Sequence, residues 1–275
     1  MSSRAQPPMP RQMRSLFLSD FHLGARACRP REILDFLYAH EAETIYLVGD
    51  IFDLWHGGHI HWTPVHDAVI GELERRARSG VRVIYLAGNH DAPFRKPGAM
   101  KVPSGWELRE AVAHRAADER RYLVLHGDQC DPRFLRWHWM TRLGSRADAA
   151  IRGLDAWLGR RLGRRDPGRS QTTLERLIST FNGLFVMGGA FERRLVALAG
   201  AAGMQGVICG HSHKPGLHKV GETLFANCGD WVDSFTALAE DESGSLHLIE
   251  WASSPFERPA PRPLAEPGMV GGERI

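Results

Sequence analysis

Short apolar runs recur along the chain and are separated by amphipathic segments. The apolar runs at 16–19, 44–48, 81–87, 122–125, 207–209 and 246–251 predict buried β-strands. Apolar residues three to four positions apart predict amphipathic helices over 31–40 and 65–79, between the first three strands. This alternation of strand and helix indicates an α/β core with a largely parallel sheet. Two later segments, 219–227 and 235–240, are predicted to be antiparallel strands.

The pattern changes at both ends of the chain and in one internal region. Residues 1–12 and 253–275 are rich in Pro and Gly and lack periodicity, so we expect flexible tails around one domain over 13–252. Residues 132–203 carry apolar stripes at helical spacing and predict an inserted helical subdomain. A break in that subdomain is expected at Gly188-Gly189.

Polar residues follow at once after five of the predicted strands. Ligands of open α/β sheets bind beyond the carboxyl ends of the strands, so these residues are expected to share one cleft. The segments are SDFH at 19–22, GDIFD at 49–53, GNHD at 88–91, HGD at 126–128 and GHSH at 210–213.

Composition narrows the class of protein. The 275 residues are 43% hydrophobic and 24% charged, which excludes a disordered chain and a multi-pass membrane protein. The four cysteines form no C-x-x-C pair, so a zinc ribbon is not expected. The N-terminus has no apolar signal segment, and no run is long enough for a spanning helix. We therefore expect a cytoplasmic protein that is either soluble or attached to a membrane face.

The net charge of +3 hides a strong asymmetry. Residues 132–203 contain 13 arginines and five acidic residues, a net charge of +8, and the rest of the chain carries −5. Three interpretations stay open: a solvated helical face, a cap that binds a lipid substrate and a membrane, or a nucleic-acid surface. Nucleic acid is not the expected partner, because the apolar stripes require burial or a lipid and phosphate-backbone binding requires only cationic surface.

The chain has 14 histidines, and histidine is the most common metal ligand in proteins. The polar strand ends supply carboxylate, imidazole and amide donors without thiolate, a set that suits divalent cations. Both D-x-H at 20 and 22 and H-x-H at 211 and 213 place two donors on one side of an extended segment. If Asp50 bridged two cations, seven ligands could serve a pair about 3.5–4 Å apart, as used for displacement at phosphorus. The sequence therefore predicts a phosphoester or pyrophosphate hydrolase.

These five blocks, in this order, resemble the calcineurin-like metallophosphoesterase family over about residues 14–251. The resemblance implies a four-layer αββα sandwich with a binuclear site, most often holding Mn²⁺, although Fe²⁺ or Zn²⁺ would accept the same donors. It implies that one metal is held by Asp20, His22, Asp50 and His213, and the other by Asp50, Asn89, His126 and His211. The nucleophile would be a hydroxide from solvent. His90 would be the catalytic group, and Asp53 and Asp91 would orient ligand imidazoles.

Within the family, the chain is similar to the UDP-2,3-diacylglucosamine diphosphatase branch, peripheral membrane enzymes of lipid A synthesis. Those enzymes release UMP and a diacylated sugar 1-phosphate, and a helical cap between the HGD and GHxH blocks accepts the acyl chains. The likeness implies a nucleotide-linked lipid substrate and the inner membrane face as partners. One departure is His90, where the best-known members of the branch have Arg. Candidate substrate or membrane contacts in the cap are Trp137, Trp157, Arg160, Arg161, Arg164 and Arg165.

Two rival functions remain from the sequence. One is a phosphodiesterase or phosphatase acting on another nucleotide or phospholipid, and the other is a non-catalytic membrane-binding module that keeps the fold as a scaffold. His56, His59 and His61 in the WHGGHIHW segment are expected to form a surface loop at the cleft mouth rather than a third metal site.

Overall fold

The computed structural model describes residues 11–55, 61–96, 98–131 and 188–251. Within it, the chain divides into two compact units: Met1–Gly127 with Val196–Ile275, and Asp128–Leu195. The predicted tails, apart from residues 11 and 12, and most of the helical insertion lie outside the described residues. The same holds for His56, His59 and all six cap residues named above. Among the helices that are described, none has the length and apolar character needed to span a bilayer.

The first unit contains two mixed β-sheets. The strands are β1 Arg11–Leu18, β2 His40–Val48, β3 Arg82–Leu86, β4 Trp106–Arg109, β5 Val112–Arg115, β6 Arg121–Val124, β7 Gly206–Cys209, β8 Gly216–Val220, β9 Thr223–Asn227, β10 Thr236–Glu240 and β11 Leu246–Glu250. The helices are α1 Pro30–Ala39, α2 Pro64–Arg78 and α3 Gly188–Ala201, and α3 runs across the boundary between the units. One sheet has the order β11-β10-β1-β2-β3-β4, and the other has the order β5-β6-β7-β9-β8.

Pairing in the sheets follows the connections of the chain. Strands β1 to β4 are parallel, with α1 and α2 as the first two crossovers, and β10 and β11 extend this sheet as antiparallel strands. In the other sheet, β6, β7 and β9 are parallel, and β5 and β8 are antiparallel edge strands. The carboxyl ends of the parallel strands are therefore available for a site in each sheet.

Alternating side chains divide the apolar core into two layers. One cluster joins the facing sides of both sheets and includes Phe17, Tyr46, Ile84, Tyr122 and Ile208. The other covers the opposite side of the first sheet, where α1 and α2 contribute Ile33, Leu37, Val69 and Leu73. A helix layer on two packed sheets confirms the predicted mixed α/β fold class.

Three details differ from the sequence-based assignments. β1 begins at Arg11, within the segment that we expected to be a tail, because it pairs with the start of β2. Segment 219–227 is not one strand: a turn at Gly221, with φ of +62°, divides it between β8 and β9. Strands β4 and β5 were not anticipated, since each has only four residues and their charged side chains break the apolar pattern.

A buried polar chain links the two sheets. Nδ1 of His114 lies 3.0 Å from the Tyr46 hydroxyl, and its Nε2 lies 2.9 Å from Oε2 of Glu240, which is fully buried. Burial raises the pKa of Tyr46 to about 12, so the hydroxyl keeps its proton and can donate a hydrogen bond to Nδ1. Nε2 faces Glu240 as a close ion pair, although the contact does not have hydrogen-bond geometry. The Ala117 backbone N–H also donates to this carboxylate, at 2.8 Å.

We expect Glu240→Gln to lower the free energy of unfolding by about 2 kcal/mol at neutral pH, because a buried charge-assisted interaction is lost. Burial alone would raise the pKa of Glu240, but the interactions with His114 and Ala117 outweigh it and hold the pKa below the ordinary 4.5. The stabilisation is thus present above that ordinary value and is lost as pH falls through the lower, folded-state value. Urea unfolding at pH 7 and at a pH well below 4.5 measures this. If the difference in free energy of unfolding between wild type and Glu240→Gln were the same at both pH values, the role assigned to the Glu240 charge would be contradicted.

Candidate metal centre

The seven residues predicted as ligands all follow carboxyl ends of parallel strands, and the structure brings them together. They are Asp20 and His22 after β1, Asp50 after β2, Asn89 after β3, His126 after β6, and His211 and His213 after β7. The loops are also joined by their backbones. The Asp20 N–H donates to the carbonyl of Gly49 at 3.0 Å, and the Gly210 N–H donates to the carbonyl of His126 at 3.0 Å.

The donor atoms of the predicted ligands fall into two groups, each spanning less than 4.8 Å, and a third group of the same geometry joins His22 with Asp53 and His90. The first donor group consists of Asp20, His22 and His213, and the second consists of Asp50, His126 and His211. Asn89 belongs with the second group, because its Oδ1 lies 3.2 Å from Nε2 of His126 and 3.0 Å from Nδ1 of His211. This division matches the two ligand sets that the family resemblance implies, except that Asp50 is found with one set only.

Five of these seven residues have left-handed backbone conformations. Their φ values are 56° for Asp20, 50° for His22, 52° for Asp50, 65° for His211 and 55° for His213. Non-glycine residues rarely adopt this region, at a cost of about 1–3 kcal/mol each. Such strain concentrates at functional sites, where the surrounding structure holds residues in place for what they do. The loops are therefore shaped around the donor atoms at the expense of local stability.

Glycines before the donors allow the loops to approach one another closely. A Cβ on Gly49, whose φ is +85°, would overlap the imidazole ring of His126. A Cβ on Gly88 would overlap the carboxylate of Asp50, and one on Gly210 would overlap Ser19 and crowd Asp20. The glycines of the G-D, G-N and G-H blocks thus provide the space in which side chains from other blocks converge.

The hydrogen bonds of His126 show that the second donor group suits a cation. Nδ1 lies 2.9 Å from the carbonyl oxygen of Val48, which can only accept, so Nδ1 carries the proton. In the neutral ring, Nε2 presents a lone pair and lies 3.2 Å from Oδ1 of Asn89 and 3.3 Å from Oδ2 of Asp50. These three atoms can hold either a shared proton or a metal ion. Val48 fixes the ring as backbone partners of ligand histidines do.

The first donor group has the same character. Nε2 of His22 and Nε2 of His213 are 3.3 Å apart, and Oδ1 of Asp20 lies 3.2 Å from the latter. Oδ1 is fully buried and, within the described part of the chain, accepts no well-formed hydrogen bond. The other carboxylate oxygen, Oδ2, accepts from the hydroxyl of Ser19 and from the backbone N–H of His211. Oδ1 and the two imidazoles are therefore directed at a common position that a cation would occupy.

The electrostatics of the site also favour cations. Burial alone would raise the pKa of Asp20 and of Asp50, yet nearby imidazoles outweigh it and keep both values below the ordinary 3.8. Burial lowers the pKa of His22, which keeps its ring neutral, as a ligand must be. Burial would also lower the pKa of His213, but the charge of Asp20 raises the pKa of this ring to about 9. A site that draws a proton to this ring is rich in negative charge that metal ions would neutralise.

His90 lies beside both groups and is oriented from three sides. Its Nδ1 lies 2.9 Å from Oδ1 of Asp53, its ring meets the His22 ring edge-on at 4.6 Å, and the ring of Trp55 lies 4.4 Å away. The His90 N–H donates to Oδ1 of Asp50 at 2.7 Å, which ties this loop to the second donor group. With Nδ1 directed at Asp53, Nε2 is the nitrogen left for contact with a substrate.

The partners of Asp53 and Asp91 differ from our expectation that both orient ligand imidazoles. Asp53 contacts His90 instead, and the hydrogen bond with the His90 ring lowers the pKa of Asp53. Asp91 accepts from the backbone N–H groups of Gly88 and Ile51 and from the hydroxyl of Tyr85. Its pKa is raised to about 6 by burial and by the charge of Asp50. Asp91 therefore joins the GDIFD and GNHD loops, because its side chain turns toward the sheet rather than into the cleft.

Sequence reasoning missed a sixth polar strand end, which follows β9. The amide of Asn227 donates to the Gly210 carbonyl at 2.7 Å and to the Ser212 hydroxyl at 3.0 Å, so it fixes the GHSH loop. Asp230 has one carboxylate oxygen 3.9 Å from Nδ1 of His213. The signal was present as the polar segment NCGD at 227–230, directly after an apolar run.

The contacts of His61 are with Gly24 and His66 rather than with the donor residues. Its side chain is exposed, its backbone N–H donates to the carbonyl of Gly24 at 2.9 Å, and its ring lies 6.2 Å from that of His66. Among the residues that the structure describes, His61 belongs to no cluster with metal-binding geometry.

Comparison with known proteins places this site in a family. The family model for calcineurin-like phosphoesterases matches residues 13–215, which cover most of the described domain and all seven donor residues. The chain belongs to the calcineurin-like phosphoesterase family. It is a metal-dependent hydrolase of that family, as the donor groups indicate independently.

Curated relatives are similar over most of their length. A protein of Sodalis glossinidius named UDP-2,3-diacylglucosamine hydrolase is 27% identical over 85% of this chain and 97% of its own. A protein of Edwardsiella ictaluri with the same name is 27% identical over 89% of this chain and 95% of its own. A solved structure of YfcE, a phosphoesterase from E. coli, matches with a TM-score of 0.44 and 15% identity, covering 86% of this chain and 99% of YfcE.

Proposed function

We propose that this protein hydrolyses the pyrophosphate of UDP-2,3-diacylglucosamine, giving UMP and 2,3-diacylglucosamine 1-phosphate. The observation that carries the hydrolytic part is the pair of donor groups, in which buried carboxylates and imidazole nitrogens from different strand ends converge. The substrate part is supported by the names of the curated relatives, which share most of their length with this chain.

Two divalent cations, Mn²⁺ in the first instance, would polarise the phosphoryl oxygens and acidify a water molecule when bound. In this proposal, the first cation would be held by Asp20, His22 and His213, and the second by Asn89, His126 and His211. Asp50 would contribute to both. The chain supplies rigidity: Val48 fixes the His126 ring, and Asn227 fixes the loop that carries His211 and His213. Because these positions are set in advance, little reorganisation accompanies the reaction.

His90 has a separate role in the proposal. Asp53 holds Nδ1, so Nε2 faces the substrate, where it stabilises negative charge on the phosphoryl group or gives a proton to the leaving oxygen. The leaving oxygen of a pyrophosphate belongs to another phosphate, which needs less proton assistance than an alkoxide. We therefore assign charge stabilisation as the main contribution of His90 with this substrate.

The test is release of UMP from UDP-2,3-diacylglucosamine by the Mn²⁺-loaded protein. We expect stoichiometric UMP and diacylated sugar 1-phosphate, and a lower kcat/KM for the same nucleotide sugar without acyl chains. Bis(p-nitrophenyl) phosphate serves as the control substrate, since its hydrolysis requires the metal centre and no lipid contact. Hydrolysis of the control without UMP release at excess enzyme would reject the lipid substrate. Equal turnover of the deacylated nucleotide sugar would favour a soluble substrate.

A further inference from the structure

An apolar groove opens beside the proposed catalytic histidine. It has a volume of about 730 Å³, within the range of small-molecule sites, and Asp53 and Leu54 form part of its wall. Asp53 is the residue that holds His90, and the Leu54 N–H donates to the carbonyl of His90 at 3.1 Å. One part of the groove is therefore connected directly to the loop that carries the catalytic group.

The lining of the groove suits a hydrocarbon. Its apolar side chains come from four separate segments of the first unit and include Leu23, Phe52, Leu54, Ile70, Phe94 and Met100. The ring of Trp62 stands at its edge and is 39% exposed. Among the described residues that line it, none is basic, so it is not suited to a phosphate.

The three carboxylates of the wall are engaged with protein donors. Asp53 is paired with His90, Asp67 accepts from Nε1 of Trp62 at 2.8 Å, and Glu74 accepts from the Ser104 N–H at 2.7 Å. Each of the three carboxylates therefore has a protein partner at the edge of the groove. What remains for a ligand to contact is mainly apolar surface.

Gly71 provides an independent observation. It lies in the interior of α2, where glycine is less favourable than alanine by about 1 kcal/mol. No left-handed conformation requires it, and a Cβ built on it would meet nothing within 4 Å. Packing and backbone geometry therefore do not explain this glycine. Since Gly71 itself lines the groove, the open space that a side chain would enter is the groove.

We propose that this groove binds one acyl chain of the substrate and that Gly71 keeps it open. The inference rests on the proposed function for the identity of the lipid, and on the groove itself for the chemistry of the ligand. An acyl chain near His90 would help to place the adjacent pyrophosphate over the two donor groups. Binding of the chain would lower KM more than it raises kcat, because the same contacts persist throughout the reaction.

The test uses the full-length Mn²⁺-loaded protein and palmitic acid carrying a mid-chain diazirine as a photoaffinity probe. Gly71→Phe fills the groove, and Gly71→Ala is the matched control that adds one methyl group. We expect labelled peptides from α2 and from residues 94–100 in wild type and Gly71→Ala. Labelling of these peptides should fall at least about tenfold in Gly71→Phe, since each lost buried methylene changes affinity about fourfold.

Undiminished labelling of these peptides in Gly71→Phe, or no labelling there in wild type, would overturn the proposal. Gly71→Leu replaces Gly71→Phe if circular dichroism shows that the larger residue disturbs folding. Turnover of bis(p-nitrophenyl) phosphate should change less than twofold in all three variants, because the donor groups are untouched. Absence of UMP release would reject UDP-2,3-diacylglucosamine as the substrate but would not change the labelling result. The proposed substrate and the proposed groove are therefore tested independently.

Discussion

Asp50→Asn should lower kcat for bis(p-nitrophenyl) phosphate by about 10³-fold or more and reduce the bound Mn²⁺. The replacement keeps the size of the side chain and removes its charge, which lies buried 3.3 Å from Nε2 of His126. A carboxylate shared by two cations contributes several kcal/mol to their binding and to the charge balance of the transition state, and each 1.4 kcal/mol is a factor of ten. Turnover and metal content by atomic absorption are measured on the same sample.

Asp118→Asn is the matched control for this prediction. Asp118 is a surface residue paired with Arg120, and its replacement tests for general effects of losing a carboxylate. His126→Ala should resemble Asp50→Asn, because it removes another donor of the second group. Full activity and full metal content in both Asp50→Asn and His126→Ala would reject the assignment of the second donor group.

Gly49→Ala should reduce kcat/KM by about 100-fold or more and lower the thermal stability. A Cβ at this position would overlap the ring of His126, so the ring or the GDIFD loop must move. Proximity effects are steep, and a displacement of about 1 Å costs on the order of 10²-fold in rate. The left-handed backbone adds a further cost of about 1–2 kcal/mol to the folded state. Metal affinity, turnover and thermal unfolding together measure these effects.

Gly80→Ala separates the effect of backbone strain from the effect of steric overlap with His126. Gly80 also has a left-handed backbone, with φ of +101°, but a Cβ there would meet nothing within 4 Å. This variant should lose stability by backbone strain alone and keep its turnover. If Gly49→Ala behaved like Gly80→Ala, with activity retained, close packing of Gly49 against His126 would not be required for the site.

The positions of the donor residues were predictable because two features of this sequence indicate where each strand ends. Apolar runs fix the strands, and the polar residues after them identify the edge at which parallel strands end. The same signal marks Asn227 and Asp230, which were missed because segment 219–227 was treated as one strand. Strands β4 and β5 depend on pairing with neighbours rather than on their own apolar pattern, so local sequence does not reveal them.

Partners within the site could not be deduced from spacing. Asp53 and Asp91 occupy equivalent places in their blocks, yet one faces His90 and the other faces the backbone and Tyr85. Their directions depend on how neighbouring loops pack, which a single sequence does not encode locally. The wall of the groove beside α2 likewise depends on packing, since it is assembled from four separate segments of the chain.

The most direct test of the two-metal site is a crystal structure of the Mn²⁺-soaked protein with anomalous diffraction data. We expect two anomalous peaks about 3.5–4 Å apart. One should lie among Asp20, His22 and His213, and the other among Asn89, His126 and His211, with Asp50 contacting both. A cleft without anomalous signal at saturating Mn²⁺, or a single peak outside these two groups, would contradict it.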